Sequence, residues 1–161
     1  MLDLPLNPLE KVIEALSIVA ILYLIVMVLR YWPTLPNTLP THFNGAGTPD
    51  EWGGKNFGLI LPATSFILYI ILTVIARFPH TYNYLYPITA ENAPIQYQMA
   101  RMMIAALKLE TIIMFTYIEW ITFQVALGQA EGLGGWFLPV TLGIIFGSIG
   151  IYIFFSVKYR K

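Results

Sequence analysis

The side chains able to do chemistry in this 161-residue chain fall in two places. His42, Asn44, Asp50 and Glu51 lie close together, with Trp52 beside them. An imidazole near two carboxylates could hold a divalent metal, which needs three or four ligands at about 2.0–2.2 Å. Only His42, Asp50 and Glu51 are local candidates, and no His-x-x-x-His or Glu-x-x-His spacing supports them, so no metal is expected. Two other roles remain. Either His42 and Asp50 hydrogen-bond loop backbone between prolines and glycines, or His42, Asn44, Asp50 and Trp52 form a recognition surface. The second place is Glu119, a carboxylate inside a long apolar run. At the centre of a bilayer it would cost roughly 2.5–3.5 kcal/mol on insertion scales, so it should face other helices, protonated or hydrogen-bonded. Such a group could bind protons or cations, or simply bond a Thr or Tyr of a neighbouring helix.

Catalysis finds little support. The chain has no Cys and two His, which excludes a thiolate nucleophile and a Cys-based metal site. It lacks a Gly-rich phosphate loop, Gly-x-Ser-x-Gly and His-Glu-x-x-His. No enzyme activity and no cofactor are expected. Nine basic residues balance nine acidic ones, leaving no electrostatic footprint for nucleic acid.

The elements that position these residues belong to a membrane. Hydrophobic residues are 57% and charged residues 11% of the chain, and its mean hydropathy is +0.67. A small soluble domain needs far more polar surface than that. Runs poor in charge predict an all-α integral membrane protein, one membrane domain over residues 1–161, with spans at about 12–32, 57–77, 103–127 and 136–157. Pro62 and Pro139 fall in first turns, where a missing N–H does least harm. The first span could be read as a secretory signal, but Tyr31-Trp32-Pro33 is no small-residue cleavage site, so it should be retained.

A helix starting from Asn92 as N-cap and running to Leu127 would be about 54 Å long, more than a bilayer needs. On it Arg101, Lys108 and Glu119 share a face to within ~20°, with Glu110 opposite. Lys108 and Glu110 should snorkel from one membrane face, and Glu119 should lie near mid-membrane. Gly143, Gly147 and Gly150 form a small-residue seam on the last span, suited to close helix packing within this chain or with another.

Lys11, Arg77, Arg101, Lys108, Lys158, Arg160 and Lys161 collect on one side, and Arg30 and Lys55 on the other. This places both termini in the cytoplasm, in a prokaryotic plasma membrane. The loop from Pro33 to Asn56 is then outside. With Pro33, Pro36, Pro40 and Pro49 and four glycines, it should be extended and turned, a compact cap rather than a helix.

That loop carries Leu35-Pro36, Leu39-Pro40-Thr41-His42, Asn44, Gly47, Asp50 and Lys55. It resembles the signature loop of the SdpI-like membrane proteins, whose N-terminal module is the domain of unknown function DUF1648. A second patch, Asn83-Tyr84, Pro87-Ile88-Thr89, Glu91-Asn92 and Gln96-Tyr97, is similar to the family's second loop. The resemblance covers about residues 20–108. It implies a non-catalytic role in peptide-toxin immunity, or in signalling by holding a repressor at the membrane. The immunity protein that typifies the family has a further C-terminal pair of helices, and this sequence ends after four spans.

Two other readings stand beside this one. The chain could be an accessory subunit of a respiratory, photosynthetic or transport complex, with other membrane subunits or copies of itself as partners besides the bilayer. A small proton-coupled transporter would depend on Glu119.

Overall fold

A computed structural model describes residues 5–160. It is mostly helical, with a small antiparallel sheet. α1 covers Pro8–Tyr31, α2 Ile60–Ile75, α3 Ala93–Ala126 and α4 Phe137–Lys158. Between α1 and α2 lie β1 (Thr38–Phe43) and β2 (Pro49–Gly54), flanked by 3-10 turns at Trp32–Thr34 and Lys55–Leu59. Lys161, part of the basic tail, lies outside the described residues.

Each helix starts for a local reason. Asn7 caps α1: its side chain accepts from the Glu10 N–H at 2.8 Å, while Glu10 accepts from the Asn7 N–H at 2.8 Å, with Pro8 at the first helical position. This capping box satisfies two donors that no helical carbonyl can reach. It starts the helix four residues before the expected span at about 12. Asn92 precedes α3, but its side chain makes no cap bond to that helix. It accepts from the Thr89 N–H at 3.0 Å and donates to the carbonyls of Pro87 and Arg160. The expected cap is instead a clamp between a loop and the far end of α4.

α3 is the hub, packing against α1, α2 and α4. Its 34 residues extend about 51 Å at 1.5 Å per residue. The stripe Glu10, Ser17, Ile21, Leu24 and Val28 of α1 is buried, the three-and-four spacing of one helix face. Its opposite side, with Val12, Val19, Val26 and Leu29, is exposed. α4 is joined to α3 at both ends. Gln96 donates to the Ser156 and Tyr159 carbonyls and accepts from the Ser156 hydroxyl, while Phe137 stacks on Tyr117.

Three helices are long and apolar enough to cross a membrane: Pro8–Thr34, Lys55–Ile75 and Phe137–Lys158, each including any adjoining 3-10 turn. α3 is not among them, because Lys108, Glu110, Glu119 and Gln124 dilute its apolar run. Three of the four expected spans thus have membrane-spanning length and composition, and they pack around α3, a central helix whose polar groups are largely enclosed by its neighbours. The all-α expectation is corrected. The Pro/Gly-rich loop is a β-hairpin pairing Leu39 with Gly53 and Pro40 with Trp52. Prolines fit because both strands of a two-stranded sheet are edges, with N–H positions that need no ladder partner.

Candidate functional site

The hairpin folds over the ends of α2, α3 and α4, and a partly open cavity of about 390 Å³ lies between them. Its anchors are the same Leu and Lys positions that mark the sequence pattern. Leu35 and Leu39 are buried with Leu24, Met27, Val28 and Phe123 in one core cluster. Complete burial of a Leu side chain is worth roughly 1.5–3 kcal/mol. Lys55 donates to the Leu35 carbonyl at 3.1 Å and lies over the Trp32 ring at 5.0 Å from its centroid. Its ammonium closes the base of the hairpin while keeping a cation–π contact.

At the tip, Asn44 organises the turn. Its side-chain oxygen accepts from the Ala46 and Thr48 N–H groups at 2.9 and 3.1 Å, an Asx arrangement that replaces backbone pairing. Gly47 follows with φ +78°, and its carbonyl accepts from the Leu133 N–H at 2.7 Å. A Cβ on Gly47 would come within 2.7 Å of Gly134 backbone. The tip therefore docks on the α3–α4 connection through backbone against backbone, which only glycine permits there. The glycines at 132 and 134 played no part in the sequence reading. A run of Gly in a short connection was the available signal.

His42 and Asp50 meet each other rather than loop backbone, as had been one expectation. Bulges on either side of His42 leave Thr41 and Asp50 without direct strand partners, and such irregularities re-aim side chains. The His42 Nδ1 is 2.6 Å from Asp50 Oδ1, with both groups well exposed. The hydrogen bond to Asp50 holds the His42 pKa above its usual value of 6.5, helped by the charges of Asp50 and, less, of Glu51. Trp52 is exposed beside this pair. Among the described residues no group of three or more His, Asp or Glu could hold a metal.

Glu119 lines the same cavity. Only 2% exposed, it has no hydrogen-bond partner among the described residues, and its Oε1 is wholly enclosed. Gly58 makes the room: a Cβ there would stand 3.3 Å from that oxygen and 3.0 Å from Leu39 Cδ1. The depth differs from expectation. Glu119 lies near Tyr117, which stacks on the first residue of α4, so it is close to the hairpin end. Glu110 is the residue level with the middle of α4, accepting from the Ser148 hydroxyl there.

Arg101 and Lys108 share the buried face with Glu119, as the helical spacing requires. Lys108, expected to snorkel, is instead buried. Arg101 donates two bonds to Glu10 at 3.0 Å, and Lys108 bonds Glu14 and the Thr73 hydroxyl. Their partners, the carboxylates of α1, lie more than 90 residues away in sequence, beyond the reach of any spacing rule. Gly143, Gly147 and Gly150 lie outside this site, and a Cβ on any of them would meet nothing within 4 Å. The seam packs against none of the described residues.

Fold and site together define a mostly helical protein with apolar, membrane-length helices and a β-hairpin cap. Residues 18–73, which are the second part of α1, the hairpin and most of α2, match the family model described as Domain of unknown function (DUF1648). An uncharacterized protein of Archaeoglobus fulgidus is 36% identical over 83 residues, covering 52% of this chain and 45% of that protein. The chain thus spans a little under half the length of that relative. No solved structure matches.

Proposed function

We propose that this is a non-catalytic, multi-pass membrane protein of the SdpI-like type that acts by interaction, in peptide-toxin immunity or membrane signalling. The carrying observation is the hairpin, fixed at its base by Lys55, at its core by Leu35 and Leu39, and at its tip by Gly47. Held in one shape, it presents the exposed His42–Asp50 pair and the exposed Trp52, with His42 on the wall of a cavity. A preformed cap with an aromatic and charged groups loses little entropy on binding and suits recognition. The hairpin is assigned to the outer side. Arg101 and Lys108 are consumed in internal pairs, yet Lys11, Arg77, Lys158, Arg160 and Lys161 still face only Arg30 and Lys55.

In cells challenged with membrane-active peptides, expression of the chain should raise survival, and His42→Ala or Asp50→Ala should reduce that gain with the helices still inserted. No survival effect and no binding of a cytoplasmic regulator would sink the reading. Single Cys probes at Thr48 and Lys158, both exposed, should label from opposite sides. Labelling of Thr48 from the cytoplasm would refute the orientation.

A second reading, an accessory subunit of a larger membrane complex, is favoured by α4. Almost none of its apolar window is buried in this chain, and its glycine seam is bare. Native electrophoresis in mild detergent should then show a large assembly, and migration solely as a monomer or homodimer would count against it.

A further inference from the structure

The cavity under the hairpin contains an uncompensated charge-bearing group in apolar surroundings. Phe57, Ile60, Leu61, Ile118 and Leu138 contribute to its wall, and Glu119 is the acidic side chain lining it. A buried carboxylate without donors is unfavourable, by more than an unpaired neutral group. Arg101 and Lys108 on the same face of α3 have carboxylate partners, so of the three charged side chains on that face Glu119 is the one left without a partner among the described residues.

We propose that this cavity binds an organic monocation, an ammonium group carried on an apolar body, with Glu119 as its counter-ion. The inference rests on the hairpin end being a recognition site and supplies the chemistry of what it recognises. The cavity volume, about 390 Å³, is in the range of small-ligand sites, which combine apolar walls with a few placed polar groups. An ammonium brings its own donors to Glu119, and the Phe57 ring adds a face that attracts cations. A bare divalent ion lacks ligands here, since one carboxylate cannot complete its shell. The one ionisable base among the described residues lining the cavity does not repel cations: His42 is paired with Asp50, and its strand partner Glu51 adds a further negative group nearby. Lys108 is 11 residues back along α3, about 16 Å away, and already engaged by Glu14.

The same ammonium could arrive free or as the headgroup of an ethanolamine lipid. The test uses the full chain in phosphatidylglycerol nanodiscs, titrated with phenethylammonium and separately with uncharged 2-phenylethanol. The ammonium should bind about tenfold or more tighter than the alcohol, the range of one charge-assisted bond. Glu119→Gln should remove that preference. Ile60→Trp, at a half-exposed wall position, should weaken both probes without disturbing the core. In discs containing phosphatidylethanolamine, reduced phenethylammonium binding would identify the headgroup as occupant, and unchanged binding a free amine. Equal affinity for the two probes, or a preference that survives in Glu119→Gln, would overturn the proposal. If hairpin variants alter survival while the probes are never discriminated, this inference fails and the recognition reading stands. Discrimination without any survival effect would keep this inference and overturn the peptide-toxin immunity role alone.

Discussion

On the buried face of α3, Arg101 and Lys108 meet carboxylates of α1, whereas Glu119, further along the same face, meets no partner among the described residues. The first region is a matched set of charges. Glu10 lies between its helix cap and the Arg101 guanidinium, and both side chains of that pair are buried. The second is a carboxylate left beside a cavity. Buried pairs commonly do little more than break even against apolar packing, but losing one member is costly. The matched end therefore aligns helices, while the unmatched end keeps unused binding capacity.

The largest effect expected from this contrast is at the matched end. Arg101→Met leaves Glu10 buried and unpaired, which should cost about 3–5 kcal/mol. Unfolding by SDS titration in mixed micelles should show the loss, and Glu10→Gln added to it should restore most of the stability. At the hairpin tip, Gly47→Ala forces a side chain into positive φ against Gly134 backbone. Strain alone should cost roughly 1–2 kcal/mol, and hydrogen exchange should report faster loss of the Leu133 amide. Glu119→Gln should leave stability unchanged or slightly raised, because it removes no pairing. A drop comparable to that of Arg101→Met would erase the distinction between the two regions.

The smallest effect concerns His42 and Asp50. Its raised folded-state pKa means that the pair contributes fully below pH 6.5 and is lost as pH rises through the higher folded value. The His42 ring signals in NMR should titrate above 6.5, and Asp50→Asn should return the midpoint toward it.

Much of the helical layout was legible because charge-poor runs and turn residues are local signals. The apolar runs ending near Tyr31 and starting near Trp136 gave α1 and α4 closely, and the helical period put Arg101, Lys108 and Glu119 on one face. The Asn7–Glu10 capping box was equally local and was missed, because the reading started from the apolar run behind it. The hairpin was hidden by its prolines, which argue against strands except at edges. The site needed long-range information. Arg101 finds Glu10 at 91 residues' separation, Lys108 finds Glu14 at 94, and Gly47 meets Leu133 from another connection. No spacing rule reaches across such distances, so the sequence exposed the cations of α3 without their partners.

Those separations also have a consequence in time. A ribosome adding roughly 5–20 residues per second makes Arg101 and Lys108 some 5–20 s after the carboxylates they neutralise. Until then α1 carries Glu10 and Glu14 with no cation from α3 available to them. The nascent chain must keep that end of α1 hydrated, shallow in the translocation machinery or at the lipid headgroups, while α2 passes through. Arrival of α3 then supplies each carboxylate with its cation, so the middle of the gene completes the charge pairing that its beginning leaves open.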